Sequence, residues 1–118
     1  MENKPQITFD EFIAIESKLE IKIGRIDAAE RVPKSYGLKL TVNFGGEDVR
    51  SVFTNLGKEY EPEQLLGITA PFITNLTPST IKGVESQAMI MLGKSLEGKN
   101  EFQYFEYYIL HDFFLNLV

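Results

Sequence analysis

Cysteine is absent from the 118 residues, which excludes disulfides, thiol catalysis and Cys-ligated zinc. Histidine occurs once, as His111, so neither a Ser-His-Asp arrangement nor a His-based metal site can be assembled elsewhere in the chain. The acidic residues are scattered, without the Asp-x-Asp or Glu-x-x-His spacings of a ligand set, and there is no Walker loop to cradle a phosphate. No catalytic constellation remains, and the expectation is a protein that is not an enzyme and needs no cofactor or metal. A basic excess is missing too: 12 Lys and Arg face 17 Asp and Glu, for a net charge of -5. Affinity for phosphate grows with the number of Lys and Arg contacts, so this balance runs against nucleic-acid binding unless the basic residues share one face. The opening Met1-Glu2-Asn3-Lys4-Pro5 lacks the regions of a signal peptide, and the stretch Phe102 to Val118 is too short and too interrupted by charge to span a membrane. A cytoplasmic protein without a membrane partner is expected.

What is present reads as a small β-domain. With 43% hydrophobic and 25% charged residues, the chain can bury a core without metal or disulfide staples. Thr8-Phe9-Asp10-Glu11 is a capping box, and Ile7 and Phe12 stand where a hydrophobic staple would. Phe9, Phe12, Ile13, Ile15 and Leu19 form an apolar stripe, which predicts a helix from about Phe9 to Ser17 closing one end of the domain. Ile21 and Ile23 alternate with Glu20 and Lys22 as a half-buried strand, and Gly24 stands where a barrel's long first strand can bend. After a Pro-Ser-Gly loop, Leu38, Leu40, Val42 and Phe44 alternate with Lys39, Thr41 and Asn43. Gly45-Gly46 supplies a hairpin turn, and a return strand runs from about Glu47 to Thr54. Taking Val49, Ser51 and Phe53 as its inward set puts Lys39, Thr41, Asn43, Arg50 and Thr54 on one outer face.

Pro62 can begin, and Gly67 end, a short helix that plugs the barrel between the third and fourth strands. The fourth strand is predicted over Ile68 to Leu76, with Pro71 suggesting an edge or a bulge. The fifth is predicted over Gln87 to Leu92, with Met89 and Met91 in the core. The connection Asn75 to Met89 reads as a loop of short polar residues around Pro78 and Gly83. The predicted fold is all-β with short helices: a five-stranded OB-fold barrel with an N-terminal helix and a short helix between strands 3 and 4. Residues 1–93 form that domain, and 94–118 an aromatic C-terminal extension whose periodicity suits either helix or strand. Such an extension must be hidden on its own barrel or at a dimer interface.

Asn75-Leu76-x-Pro78, Lys82 before Gly83-Val84, and Ser86-x-x-Met89 are together similar to the signature of the tRNA-binding domain family. Tyr60-Glu61-Pro62-Glu63-Gln64-Leu65-Leu66-Gly67 resembles that family's Tyr-x-Pro-Glu-x-Leu-x-Gly block. Leu19 to Gly24 resembles its first-strand segment, with Glu20, Lys22 and Ile23 as near replacements. The blocks run in the family's order across roughly Ile7 to Gly93. The chain departs at Asn55-Leu56-Gly57, where many relatives have Ser-Gly-Leu or Ser-Gly-Ile, and again from Gly93 onward.

The family includes stand-alone dimeric tRNA-binding proteins, a domain appended to methionyl-tRNA synthetases, and CsaA-type chaperone-like proteins. The resemblance therefore implies a non-catalytic tRNA-binding protein, a homodimer through its terminal segments, recognising tRNA through a polar and basic face. Lys34, Lys39, Arg50 and Lys82 would contact phosphates. Asn75 and Ser86 would fix the loop or bond to RNA, with Met89 supporting it from the core side, and Asn55 falls where the pattern is altered. The alternative is a CsaA-like peptide-binding chaperone, or an interaction module associated with an aminoacyl-tRNA synthetase, which the acidic balance and apolar C-terminus favour. Apart from the resemblance, the polar residues of the outer face read more simply as the solvated positions of a sheet.

Overall fold

The alternation in the second strand organises the molecule. In the computed structural model, which describes residues 3–94, 96–98 and 100–101, Leu38, Leu40 and Val42 of β2 (Leu38–Asn43) are fully buried while Lys39, Thr41 and Asn43 are half-buried. β2 lies between β1 (Ile21–Arg31) and β3 (Val49–Thr54), antiparallel to both. β4 (Thr69–Ile73) pairs with the first half of β1, and β7 (Met89–Ile90) pairs with β4. The five strands run β3-β2-β1-β4-β7 across the sheet. β1 serves two neighbours because its register shifts between Ile26 and Ala28, a bulge that sharpens the bend. Gly24, earlier in the strand, gives space instead: a Cβ there would stand 2.5 Å from Val42 and 2.7 Å from the Phe44 ring.

The sheet closes on itself through backbone and side-chain bonds between β3 and residues 85–87. Gln87 N–H donates to Ser51 O at 2.9 Å, Ser51 N–H to Gln87 Oε1 at 2.9 Å, and Phe53 N–H to Ser86 Oγ at 3.0 Å. Ser51 Oγ donates to Glu85 O. These bonds cover the otherwise open edge of β3 and make the sheet a nearly closed barrel of the OB type. Its core is built on Phe72, Ile26, Leu40 and Val52, all fully buried, with Phe44 meeting Phe72 edge-on at 5.3 Å. One end is filled by Leu56 of a 3₁₀ turn (Leu56–Lys58) and by Leu65 of α2 (Pro62–Leu65), both fully buried. Pro62 opens α2 as expected, and Gly67, at φ 80°, donates its N–H to Ile26 O at 2.8 Å.

Several expectations are corrected. Antiparallel partners share a face, and Thr54, Val52 and Arg50 pair with Leu38, Leu40 and Val42. The inward set of β3 is therefore Arg50, Val52 and Thr54, and Arg50 does not share the outer face with Lys39. Pro71 lies in a strand paired on both sides, not at an edge. It sits beyond the last β7 pair, and its carbonyl accepts from Met91 N–H at 3.0 Å, so its missing donor faces the side where the β7 ladder has ended. The helix α1 (Phe9–Glu16) forms with its capping box complete, yet all its residues are exposed, so among the described residues it buries no side chain against a barrel end. Met89 is 55% exposed while its neighbours Ala88 and Ile90 are buried, so it stands on the outer face and not in the core.

The polar connection after β4 is not a simple loop. β5 (Ser79–Ile81) and β6 (Val84–Ser86) form a hairpin around Lys82 and Gly83. Both turn residues have positive φ, 49° and 82°, the signature of a two-residue type I′ turn whose twist matches that of the strands. A short β8 (Gly93–Lys94) pairs with β9 (Asn100–Glu101). The expected packing of the aromatic extension falls largely outside the described residues. Among them no helix is long and apolar enough to cross a membrane, and no group of acidic or His residues could hold a metal.

Candidate nucleic-acid interface

A second, smaller core joins three connections at the α2 end of the barrel. Val32 of the β1–β2 loop, Phe53 of β3 and Val84 of β6 bury one another. Around them stand Lys34 in the loop, Lys82 at the hairpin tip and Lys39 on β2, directly across from Phe53 in the register. Ser86 is fixed there as well, accepting from Phe53 N–H and donating to Ala88 O at 3.2 Å. Asn55, exposed at the start of the 3₁₀ turn, makes no side-chain capping bond. Lys39 approaches Glu30 at 3.8 Å. Lys34 and Lys82 form no ion pair among the described residues, and neither does Lys58 in the 3₁₀ turn.

The other candidates gather at the opposite end. Arg50 donates Nε and Nη2 to Asp48 at 2.8 and 3.2 Å and Nη1 to Thr74 O at 2.7 Å, with its guanidinium 5.3 Å from the centre of the Phe44 ring. Asn75 clamps the approach to β1, accepting from Glu20 N–H at 2.9 Å and donating to Lys18 O at 2.7 Å. The hydroxyl of Thr74 donates to Glu20 Oε1 at 2.6 Å. Lys22 bridges the two acids, 3.7 Å from Glu20 and 3.8 Å from Asp48. Both carboxyls are held below their usual values, Glu20 chiefly by the Thr74 hydroxyl and then Lys22, Asp48 chiefly by the Arg50 hydrogen bonds. This end is a closed network with its charges satisfied.

The eight sequence-selected residues thus divide: Lys34, Lys39, Asn55, Lys82 and Ser86 sit on or next to the segments that the second core joins, Arg50 and Asn75 tie the far end, and Met89 lies on the outer face of β4 and β7 opposite Ile73. Ser51 and Gln87, which close the barrel, were missed because their partners are distant in sequence. So was Lys58, which no local pattern connects to Lys34.

A family model described as "Putative tRNA binding domain" matches residues 21–107. The chain belongs to the tRNA-binding domain family. Family members of similar sequence include a methionine–tRNA ligase of Methanococcoides burtonii, 45% identical over 91 residues that make up 76% of this chain and 13% of that protein. Another, from Chloroherpeton thalassium, is 40% identical over 96 residues, 80% of this chain and 13% of the relative. This chain therefore spans only a small part of the ligases it matches. Among solved structures, a MetRS-related protein from Pyrococcus horikoshii superposes with a TM-score of 0.70 at 32% identity, covering 84% of this chain and 87% of that one. The chaperone CsaA from Bacillus anthracis superposes with a TM-score of 0.65 at 24% identity, over 82% of this chain and 86% of that one, a likeness of fold. Asn75, Ser86 and Met89 fall within the matched range. The first two carry structural hydrogen bonds.

Proposed function

We propose that this chain is a non-catalytic, cytoplasmic tRNA-binding module that holds tRNA at the α2 end of its barrel. Lys34, Lys39 and Lys82 contact phosphates there, Asn55 offers its amide, and Ser86 holds the hairpin that carries Lys82. Arg50 and Asn75 act as scaffold at the other end. The observation that carries this reading is that Lys34 and Lys82, which form no ion pair among the described residues, stand with Lys39 on segments joined by the second core, in a protein whose net charge is -5. Charge placed on one face steers a polyanion even when the total is negative. Membership of the family supports the class of partner. The ligases it resembles are much longer than this chain, which suits a module that brings tRNA to an aminoacyl-tRNA synthetase.

The exposed apolar residues favour a homodimer as the working form. Ile21 and Ile23 of β1 are each 46% exposed, and the row Ile21–Ile73–Met89 crosses the outer face of three strands. The same surface would serve a CsaA-like peptide-binding role, which is the second reading.

The deciding measurement is a titration with fluorescent bulk tRNA at low and physiological salt, beside a duplex DNA control. Saturable binding that prefers tRNA and weakens steeply with salt is expected. Lys34→Glu with Lys82→Glu weakens it at least about tenfold and flattens the salt dependence. Salt-insensitive binding of apolar peptides with no affinity for tRNA would instead establish the second reading.

A further inference from the structure

Outside α1, the described residues leave one aromatic ring largely in water. Tyr36, in the β1–β2 loop, is 62% exposed, whereas Phe44, Phe53, Tyr60 and Phe72 are half-buried or buried. The backbone beneath that ring is firmly held. Gly57 N–H donates to Tyr36 O at 2.9 Å, and Val32 N–H to Gly37 O at 2.9 Å. The Ser35 hydroxyl donates to Val32 O at 3.0 Å and accepts from Gly37 N–H at 3.0 Å. A Cβ at Gly57 would stand 2.5 Å from Tyr36 O and 2.8 Å from Arg31 Nη1, so glycine is what lets the 3₁₀ turn approach the loop this closely. An exposed ring on a braced backbone loses little freedom on binding, which favours its use as a contact.

Two lysines flank it in the chain. Lys34 precedes Tyr36 by two residues, and Lys58 follows the glycine that bonds to it; neither forms an ion pair among the described residues. Glu61, at the N-cap of α2, is taken by Arg31 at 2.8 Å. An exposed π-face flanked by two free ammonium groups fits a base with a phosphate on either side. A duplex offers no such base, because its bases are already stacked on one another.

We propose that Tyr36 is a stacking platform for an unpaired base of the bound RNA, with Lys34 and Lys58 holding the flanking phosphates. The assignment rests on the tRNA-binding reading and narrows it: the part recognised at this end is single-stranded.

The test compares three probes: bulk tRNA, a short labelled single-stranded RNA, and the same strand annealed to its complement. Tyr36→Ala lowers affinity for the single strand about 5- to 150-fold and weakens tRNA binding, while binding of the duplex is unchanged. The slope of log affinity against log salt stays as in the wild type, since the ring carries no charge. Tyr36→Phe keeps the affinity, and Lys58→Gln reduces the salt slope by about 0.7. Should Tyr36→Ala fold poorly, Tyr36→Leu removes the π-face at similar bulk and is expected to bind as the alanine variant would. Unchanged single-strand binding by the alanine or leucine variant, an equal loss on duplex and single strand, or an equal loss in Tyr36→Phe overturns the stacking role. Wild-type protein that binds tRNA with Tyr36 irrelevant defeats this inference alone. Wild-type protein that binds no RNA defeats both it and the tRNA-binding reading.

Discussion

Arg50 shows how one residue's meaning depends on which side of a strand it takes. By alternation it looked like a basic group beside Lys39, but its register partner is Val42, and its guanidinium is spent on Asp48, the Thr74 carbonyl and the Phe44 ring. Its contribution is to stability, because it ties β3 to the chain that leaves β4. Replacing it leaves the Thr74 carbonyl and Asp48 without their charged donor. Arg50→Gln is expected to cost about 1–3 kcal/mol in chemical denaturation while leaving the salt slope of tRNA binding unaltered. A slope reduced as much as by Lys34→Glu would return Arg50 to the interface. Lys39 is the converse case, a side chain on the outer face whose ion partner among the described residues is Glu30, at 3.8 Å.

Among the elements, the β5–β6 hairpin carries most of what the candidate interface needs. Val84 packs against Val32 and Phe53, so the hairpin cannot swing independently of the β1–β2 loop. Its turn places Lys82 at φ 49°, a left-handed conformation that asparagine tolerates better than lysine. Lys82→Asn is therefore expected to stabilise the fold by a few tenths of a kcal/mol, up to about 1 kcal/mol, and to weaken tRNA binding. Stability from denaturant unfolding and affinity from titration then move in opposite directions, which a purely structural role for Lys82 would not produce. α1 contrasts with the hairpin. Its capping box, Glu11 N–H to Thr8 Oγ1 at 3.1 Å and Thr8 N–H to Glu11 Oε1 at 3.2 Å, defines the helix locally, and Asn75 anchors the segment behind it. None of its apolar side chains finds burial among the described residues.

For the molecule as a whole, charge and apolar surface make separate predictions. Glu20 and Asp48 join β1, β3 and β4 through Thr74, Lys22 and Arg50, and their carboxyls lie below the usual values of 4.5 and 3.8. A carboxylate depressed in the folded state contributes its stability fully above the unfolded value and loses it as pH falls through the folded one. Thermal melting should therefore be insensitive to these groups above about pH 5 and fall at more acid pH. Glu20→Gln with Asp48→Asn makes that acid slope shallower, because the groups that take up protons are gone. The exposed row on the outer sheet face makes the other prediction. Sedimentation is expected to show a dimer in which Ile21→Asp with Ile23→Asp yields a monomer that still binds tRNA, more weakly. A wild-type monomer at all concentrations would remove the dimer from the proposal.

Much of this was determined by the sequence alone, wherever the cause is local. The capping box at Thr8, the alternation of Leu38 to Phe44, the short helix that Pro62 opens and the order of five strands depend on neighbours within a few residues, and the family blocks lie along one stretch of chain. Tertiary structure alone decided which face of β3 turns inward, since Arg50, Val52 and Thr54 alternate as regularly as Val49, Ser51 and Phe53. It decided too that Ser51, Ser86 and Gln87 close the barrel, and that the 3₁₀ turn carrying Lys58 meets the loop of Lys34 and Tyr36. Those outcomes depend on register and on contacts between segments tens of residues apart, for which a periodic pattern carries no information.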